Sequence, residues 1–134
     1  MKQISIFIEN KQGKLAAVAA LLAKNGINLQ ALSIADTTDY GILRIVASDT
    51  EKAVAILADN GYLAKVTDVL AVKTEDKVGS LSRILNALNA ADISVEYAYA
   101  FTSSEPGVAV TVFRVDDNEK AVAALVKAGI GVAV

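Results

Sequence analysis

The chain of 134 residues contains neither cysteine nor histidine. Without cysteine there is no disulfide, no thiolate nucleophile and no thiolate metal centre. Without histidine the commonest general base and the commonest transition-metal ligand are missing too, so no metal and no cofactor is expected. Acid–base work would fall to carboxylates and lysines, and no close carboxylate pair stands out. Charge of one sign is lacking as well. The net charge is −2 with Lys and Arg scattered, which forecasts no basic face for nucleic acid or an anionic membrane. No apolar run reaches the roughly 18 residues of a membrane helix. A strand-like run begins within two residues of the N-terminus, so no signal peptide is expected. These absences lead us to expect a soluble, cytoplasmic protein that is not an enzyme.

Apolar residues are plentiful, at 54% against 21% charged, enough for a sizeable core and unlike a disordered chain. The chain is also internally repeated. Glu9-Asn10-Lys11-Gln12-Gly13-Lys14-Leu15 returns as Glu75-Asp76-Lys77-Val78-Gly79-Ser80-Leu81, an offset of 66 residues (75 − 9). Leu15, Val18, Ala19 and Leu22, at helical spacing, return as Leu81, Ile84, Leu85 and Leu88. Later, Thr50-Glu51-Lys52-Ala53-Val54 returns as Asn118-Glu119-Lys120-Ala121-Val122 at an offset of 68 (119 − 51). The repeat divides the chain into domains 1–67 and 68–134. Each is small enough to be marginal alone, so packing on the other or on a second chain is expected.

Gln3 to Ile8 alternates as a half-buried strand does, with Ile4, Ile6 and Ile8 on one face. A helix follows Gly13 and ends at Asn25-Gly26. Ile27–Ala35 and Ile42–Ala47 read as strands around a polar hairpin loop at 36–41. Asp49 or Thr50 caps a second helix, stopped by Asn60-Gly61, and Tyr62–Thr67 reads as a fourth strand. In the second half the strands are 69–74, 93–102 and 130–134, with a hairpin loop at Ser103–Gly107 and a helix stop at Ala128-Gly129. Each half is therefore βαββαβ, an α/β (α+β) ferredoxin-like unit with both helices on one face of an antiparallel sheet. The join lacks a flexible linker. It reads as one bent strand, or as two joined at Thr67-Asp68, and in the second case the halves can exchange their fourth strands.

A glycine between strand and helix permits a sharp turn and leaves helix-start amides facing outward, a natural seat for a carboxylate. The plain alternative is a tight turn with no ligand; two copies bearing charged and amide side chains favour a site. Asn10 and Asn28 each donate and accept, which suits the ends of an amino acid, although asparagine is also an ordinary turn residue. Lys11, Lys14 and Lys77 are secondary candidates as anion attractors. Tyr97, Tyr99 and Phe101 alternate along one strand and read as packing residues, with a pocket lining as the lesser alternative. Ferredoxin-like folds also host acylphosphatases, nucleotide kinases and RNA-binding modules. The first need a glycine-rich loop followed by arginine, and a phosphohistidine mechanism needs histidine. RNA binding needs aromatics on the first and third strands, where Phe7 and Phe113 stand in different halves.

The order βαββαβ, with the Glu9–Leu15 stretch opening the first helix and Gly26-Ile27-Asn28 opening the second strand, resembles the ACT domain family across both halves. The resemblance implies tandem ACT domains: sensors of amino acids or related small ligands that regulate enzymes of amino-acid metabolism. It also implies a homodimer, with ligand held at the interface between ACT domains. Carried over, the first-half site comprises Asn10, Lys11, Gln12, Gly13, Lys14 and Leu15 with Asn28. The second comprises Asp76, Lys77, Val78, Gly79, Ser80 and Leu81 with Ser94. The first is similar to the serine-binding ACT domain of phosphoglycerate dehydrogenases, departing from it at Ile8, where histidine is usual. Asp76 in place of Asn10 favours an ammonium and opposes a carboxylate. The alternative function is a non-catalytic subunit that docks on an enzyme and binds no small ligand.

Overall fold

The computed structural model describes residues 1–133. The chain forms two compact units, Lys2–Thr67 and Asp68–Val134, with Met1 grouped with the latter. In the first, β1 (Lys2–Glu9), α1 (Lys14–Lys24), β2 (Leu29–Asp36), β3 (Tyr40–Ala47), α2 (Thr50–Asp59) and β4 (Leu63–Asp68) follow in order. Its strands lie β4-β1-β3-β2, with β3 antiparallel to both β1 and β2. The second contains β5 (Leu70–Glu75), α3 (Ser80–Ala90), β6 (Val95–Phe101), β7 (Val108–Val115), α4 (Asn118–Lys127) and β8 (Gly131–Ala133). Its strands lie β6-β7-β5-β8. Each unit is thus a ferredoxin-like βαββαβ fold.

The strand alternation and the helix stripe meet as their periods require. Ile4, Ile6 and Ile8 of β1 and Leu43 and Ile45 of β3 are buried against Val18 and Leu22 of α1 and Leu57 of α2. The second core repeats the arrangement with Leu70, Val72, Ile84, Leu88, Val115 and Leu125. Phe113 joins this core and is fully buried, so it offers no platform for a base. Tyr97 and Tyr99 flank Ala98, which pairs with Phe113 across the sheet. Both tyrosines therefore lie on the opposite face from that core, where their rings stack at 6.4 Å.

Strand β1 departs from simple alternation. Gln3 and Ser5, on its other face, are also buried, and Gln3 Nε2 donates to Ser5 Oγ at 3.1 Å. Pairing the two satisfies polar groups that would otherwise be buried at a cost.

Helix ends explain where the strands begin. The amides of Ile27, Tyr62, Ile93 and Ile130 donate back to Leu22, Leu57, Leu88 and Leu125, each closing the end of the preceding helix. Those four residues are consumed by the caps, so β2, β4, β6 and β8 start one or two residues later than the apolar runs suggest. The β2–β3 hairpin is tighter than its polar composition implies. Both strands extend into the expected loop, leaving residues 37–39 at the tip, and Thr37 N–H donates to Tyr40 O at 2.7 Å.

Between β4 and β5 the ladder is interrupted only at Val69, one residue beyond the expected Thr67-Asp68. Strand β4 lies beside β1 and β8 beside β5, so the fourth strands are not exchanged. The final strand expected from the sequence includes Val134, which lies outside the described residues.

Candidate ligand-binding site

Both repeated turns place a glycine in the left-handed region, Gly13 at φ 84° and Gly79 at φ 90°. Each glycine stands immediately before its helix, and no side chain caps α1 or α3. The amides of Lys14 and Ser80 bond back to Lys11 and Lys77 carbonyls at 3.2 Å. Those of Leu15 and Ala16, and of Leu81 and Ser82, come too early in their helices to find an acceptor within them. The other two helices differ. Asp49 Oδ1 accepts from Lys52 N–H and Asp117 Oδ1 from Lys120 N–H, both at 3.0 Å. In each unit one helix start is sealed by a carboxylate and the other is left open to an anion.

The side chains of the turns are arranged alike. Lys11 pairs with Glu9 at 2.9 Å, and Lys77 pairs with Glu75. The hydrogen bond and charge of Lys11, with a further contribution from Lys14, hold the Glu9 carboxyl below its ordinary value of 4.5. Lys77 does the same for Glu75, with Arg83 a smaller contributor. Gln12 and Val78 are exposed, and Leu15 and Leu81 present apolar surface on the first helical turns.

Asn10 and Asp76 mark a difference between the halves. Both backbone amides bond to the neighbouring hairpin, Asn10 to Asp39 O and Asp76 to Gly107 O at 2.9 Å. Asn10 Nδ2 also donates to Thr37 O at 3.1 Å, a bond an aspartate carboxylate cannot make.

Asn28 and Ser94 lie elsewhere. Asn28 N–H donates to Ser48 Oγ at 3.0 Å, and its carbonyl accepts from Ser48 N–H at 2.9 Å. Ser94 O accepts from Asp116 N–H at 3.4 Å. Glu9 pairs with Tyr40 and Leu29 with Ala47, so Asn10 and Asn28 sit at opposite ends of β3. Asn10 lies opposite Asp39 and Asn28 opposite Ser48, so the strand rise sets them roughly 30 Å apart. No single unit brings the two asparagines together.

A cleft of about 510 Å³ opens on the second turn, lined among others by Lys73, Lys77, Gly79, Ser80, Arg83 and Gly131. Asp76, Leu81 and Ser94 are not in its lining. Lys73, Arg83 and Gly131 drew no attention in the sequence, because they are where the repeat fails. Their first-half counterparts are Phe7, Ala17 and Leu63. A search for charge gained between otherwise matching positions would have found Lys73 and Arg83, and one for side chains lost would have found Gly131. Among the described residues no group of three or more Asp and Glu side chains converges as a metal site requires, and no helix is long and apolar enough to cross a membrane.

The family profile for an ACT domain pair matches residues 1–132. The protein BT0572 from Bacteroides thetaiotaomicron has a similar structure, with 39% identity and a TM-score of 0.91, over 98% of this chain and 90% of that one. The ligand-free regulatory subunit of aspartate kinase from Thermus thermophilus shares the fold at 18% identity and a TM-score of 0.70, over 95% and 91%. The corresponding subunit from Thermus flavus shares it at 22% identity and 0.65, over 96% and 92%. A search of curated sequences finds no match.

Proposed function

Since the chain belongs to the family of ACT domain pairs, we propose that it is a non-catalytic cytoplasmic sensor that binds a small amino acid and passes its occupancy to an enzyme of amino-acid metabolism. The observation that carries this reading is the open start of α1 and α3 behind left-handed glycines, beside α2 and α4 starts that are closed by aspartate. A ligand carboxylate would settle on the amides after Gly13 or Gly79. Asn10, with its amide held toward the hairpin, keeps an oxygen to accept from the ammonium.

Because Asn10 and Asn28 stand at opposite ends of β3, an amino acid touching both takes them from modules of two copies of the chain. The reading therefore requires a homodimer. Ligand then favours one packing of the copies over another, and that packing is what an enzyme partner reads.

The test is a thermal-shift screen against the twenty amino acids at millimolar concentration. Binding at a hundred times Kd stabilises the native state by about 2.7 kcal/mol, so one or a few related amino acids should raise the Tm clearly. No shift with any of them would sink the sensor reading. A second reading, a docking subunit without a small ligand, draws on the exposed apolar side chains of Leu81 and Leu85 on α3 and of Leu32 and Ile34 on β2. It predicts unchanged gel-filtration behaviour with amino acids and a complex with the enzyme partner.

A further inference from the structure

The two halves serve as controls for each other around the repeated turn. Several lining positions differ in the second half, and four of the differences change charge or bulk. Lys73 replaces Phe7, Arg83 replaces Ala17, Ser80 replaces Lys14, and Gly131 stands where the first half has Leu63. All four line the 510 Å³ cleft at the start of α3. Two of these changes add a cation, one removes a cation and one removes a side chain, a net gain of one positive charge. The volume falls in the range of small-molecule sites, and this space is larger than one inorganic oxyanion needs.

We propose that this cleft of the second unit binds a small organic dianion of the phosphomonoester class, in place of an amino acid at the Gly79 turn and independently of the site at the Gly13 turn. Lys73, Lys77 and Arg83 supply three positive charges to the lining and Glu75 one negative, leaving +2 in a chain whose net charge is −2. Ser80 and Thr74, also in the lining, offer hydroxyl donors, and α3 begins at the cleft without a side-chain cap. Arg83 is fixed rather than loose. One of its terminal nitrogens donates to Ala128 O at 2.8 Å, holding the guanidinium beside the turn that leads from α4 into β8. The guanidinium has five N–H donors in a fork suited to phosphate oxygens, so this bond leaves most of them available. Lys73 meets Glu105 at 2.5 Å, but Glu105 lies outside the lining and both side chains are about half exposed, at 47% and 59%. Exposed pairs of this kind contribute little, and Lys73 can exchange that carboxylate for a ligand oxygen.

The cleft reaches from the α4–β8 connection at Gly129–Gly131 to Val108 at the start of β7. Asp76, whose amide donates to Gly107 O, is not in its lining. The monoanionic carboxylate of an amino acid would leave the excess charge of the cleft half compensated; a phosphate dianion matches it.

Titration of the full chain with glycerol 3-phosphate, followed by amide NMR shifts, tests the proposal, with inorganic phosphate, glycerol and sodium chloride of equal ionic strength as controls. Saturating shifts at Gly79, Ser80, Gly129 and Gly131 are expected with glycerol 3-phosphate, weaker ones with phosphate, and none with glycerol. Arg83→Ala, which installs the first-half residue, should weaken binding at least about tenfold, or 1.4 kcal/mol. Should Arg83→Ala not fold, Gly131→Leu gives the same answer by filling the cleft: its backbone φ is not left-handed, and an added Cβ meets Lys73 O at an ordinary 3.5 Å. Shifts that do not saturate, that sodium chloride reproduces, or that survive in the folded variants would overturn the assignment. Amino-acid binding at the first turn is a separate reading and can fail without affecting this one.

Discussion

The side-chain amide of Asn10 donates to the carbonyl of Thr37 at 3.1 Å, tying the first strand-to-helix turn to the tip of the β2–β3 hairpin. A residue proposed to touch ligand is therefore also a brace. Asn10→Ala should lower stability by about 1 kcal/mol, the usual contribution of one such bond, and remove the amino-acid thermal shift. Asn10→Asp, which copies Asp76, keeps the size but loses the donor. If both variants retain the full ligand-induced shift, Asn10 is a brace only. Urea unfolding and the thermal-shift assay together decide this.

Gly13→Ala and Gly79→Ala should each cost about 1–2 kcal/mol, the penalty for an L-residue in the left-handed region. An added Cβ at either site meets nothing within 4 Å, so the loss arises in the backbone and not from a clash. Urea midpoints of the two variants should shift alike; a much larger loss in one would mean that its turn carries other strain.

Asp49→Ala and Asp117→Ala each remove a carboxylate that caps a helix start, at an expected cost of about 1 kcal/mol. Asn replacements, which keep an accepting oxygen, should recover most of it. Denaturant unfolding of the four variants is the check.

Glu9 and Glu75 have carboxyls held below 4.5 by their lysine partners. A lowered folded-state value means the native protein releases these protons more readily than the unfolded chain does. Their contribution is therefore present above the ordinary carboxylate value and is lost as pH falls through the lower, folded one. Stability measured from pH 6 down to pH 3 should fall less steeply in Glu75→Gln than in the parent. Both carboxylates are solvent-exposed, so 0.5 M salt should shrink the difference.

Most of the fold could be read directly. The repeat announced two units, alternation in β1 marked Ile4, Ile6 and Ile8 for the core, and Gly26, Gly61 and Gly129 marked the ends of α1, α2 and α4. Where reading went astray, local hydrogen bonds were responsible. Ile27 and Ile130 look like strand residues but spend their amides on Leu22 and Leu125. Gln3 and Ser5 look solvated by alternation, yet they are buried and satisfy each other. The candidate turns were legible because their residues are contiguous. The separation of Asn10 from Asn28 was not, because it depends on β1 and β2 running parallel on either side of β3. The Lys73–Arg83–Gly131 cleft stayed hidden for the opposite reason: attention to what the halves share passes over what only one possesses.

The unequal helix starts have a practical consequence for anyone watching this protein at work. First-turn amide protons of α1 and α3 have no carboxylate over them, whereas Lys52 and Lys120 give theirs to Asp49 and Asp117. Hydrogen exchange at Leu15, Ala16, Leu81 and Ser82 should therefore be fast, and should slow when an anion settles there. Lys52 and Lys120, already protected, should hold their rates. Each unit thus contains an indicator and a reference, one helix start behind a left-handed glycine and one behind an extended aspartate that covers it.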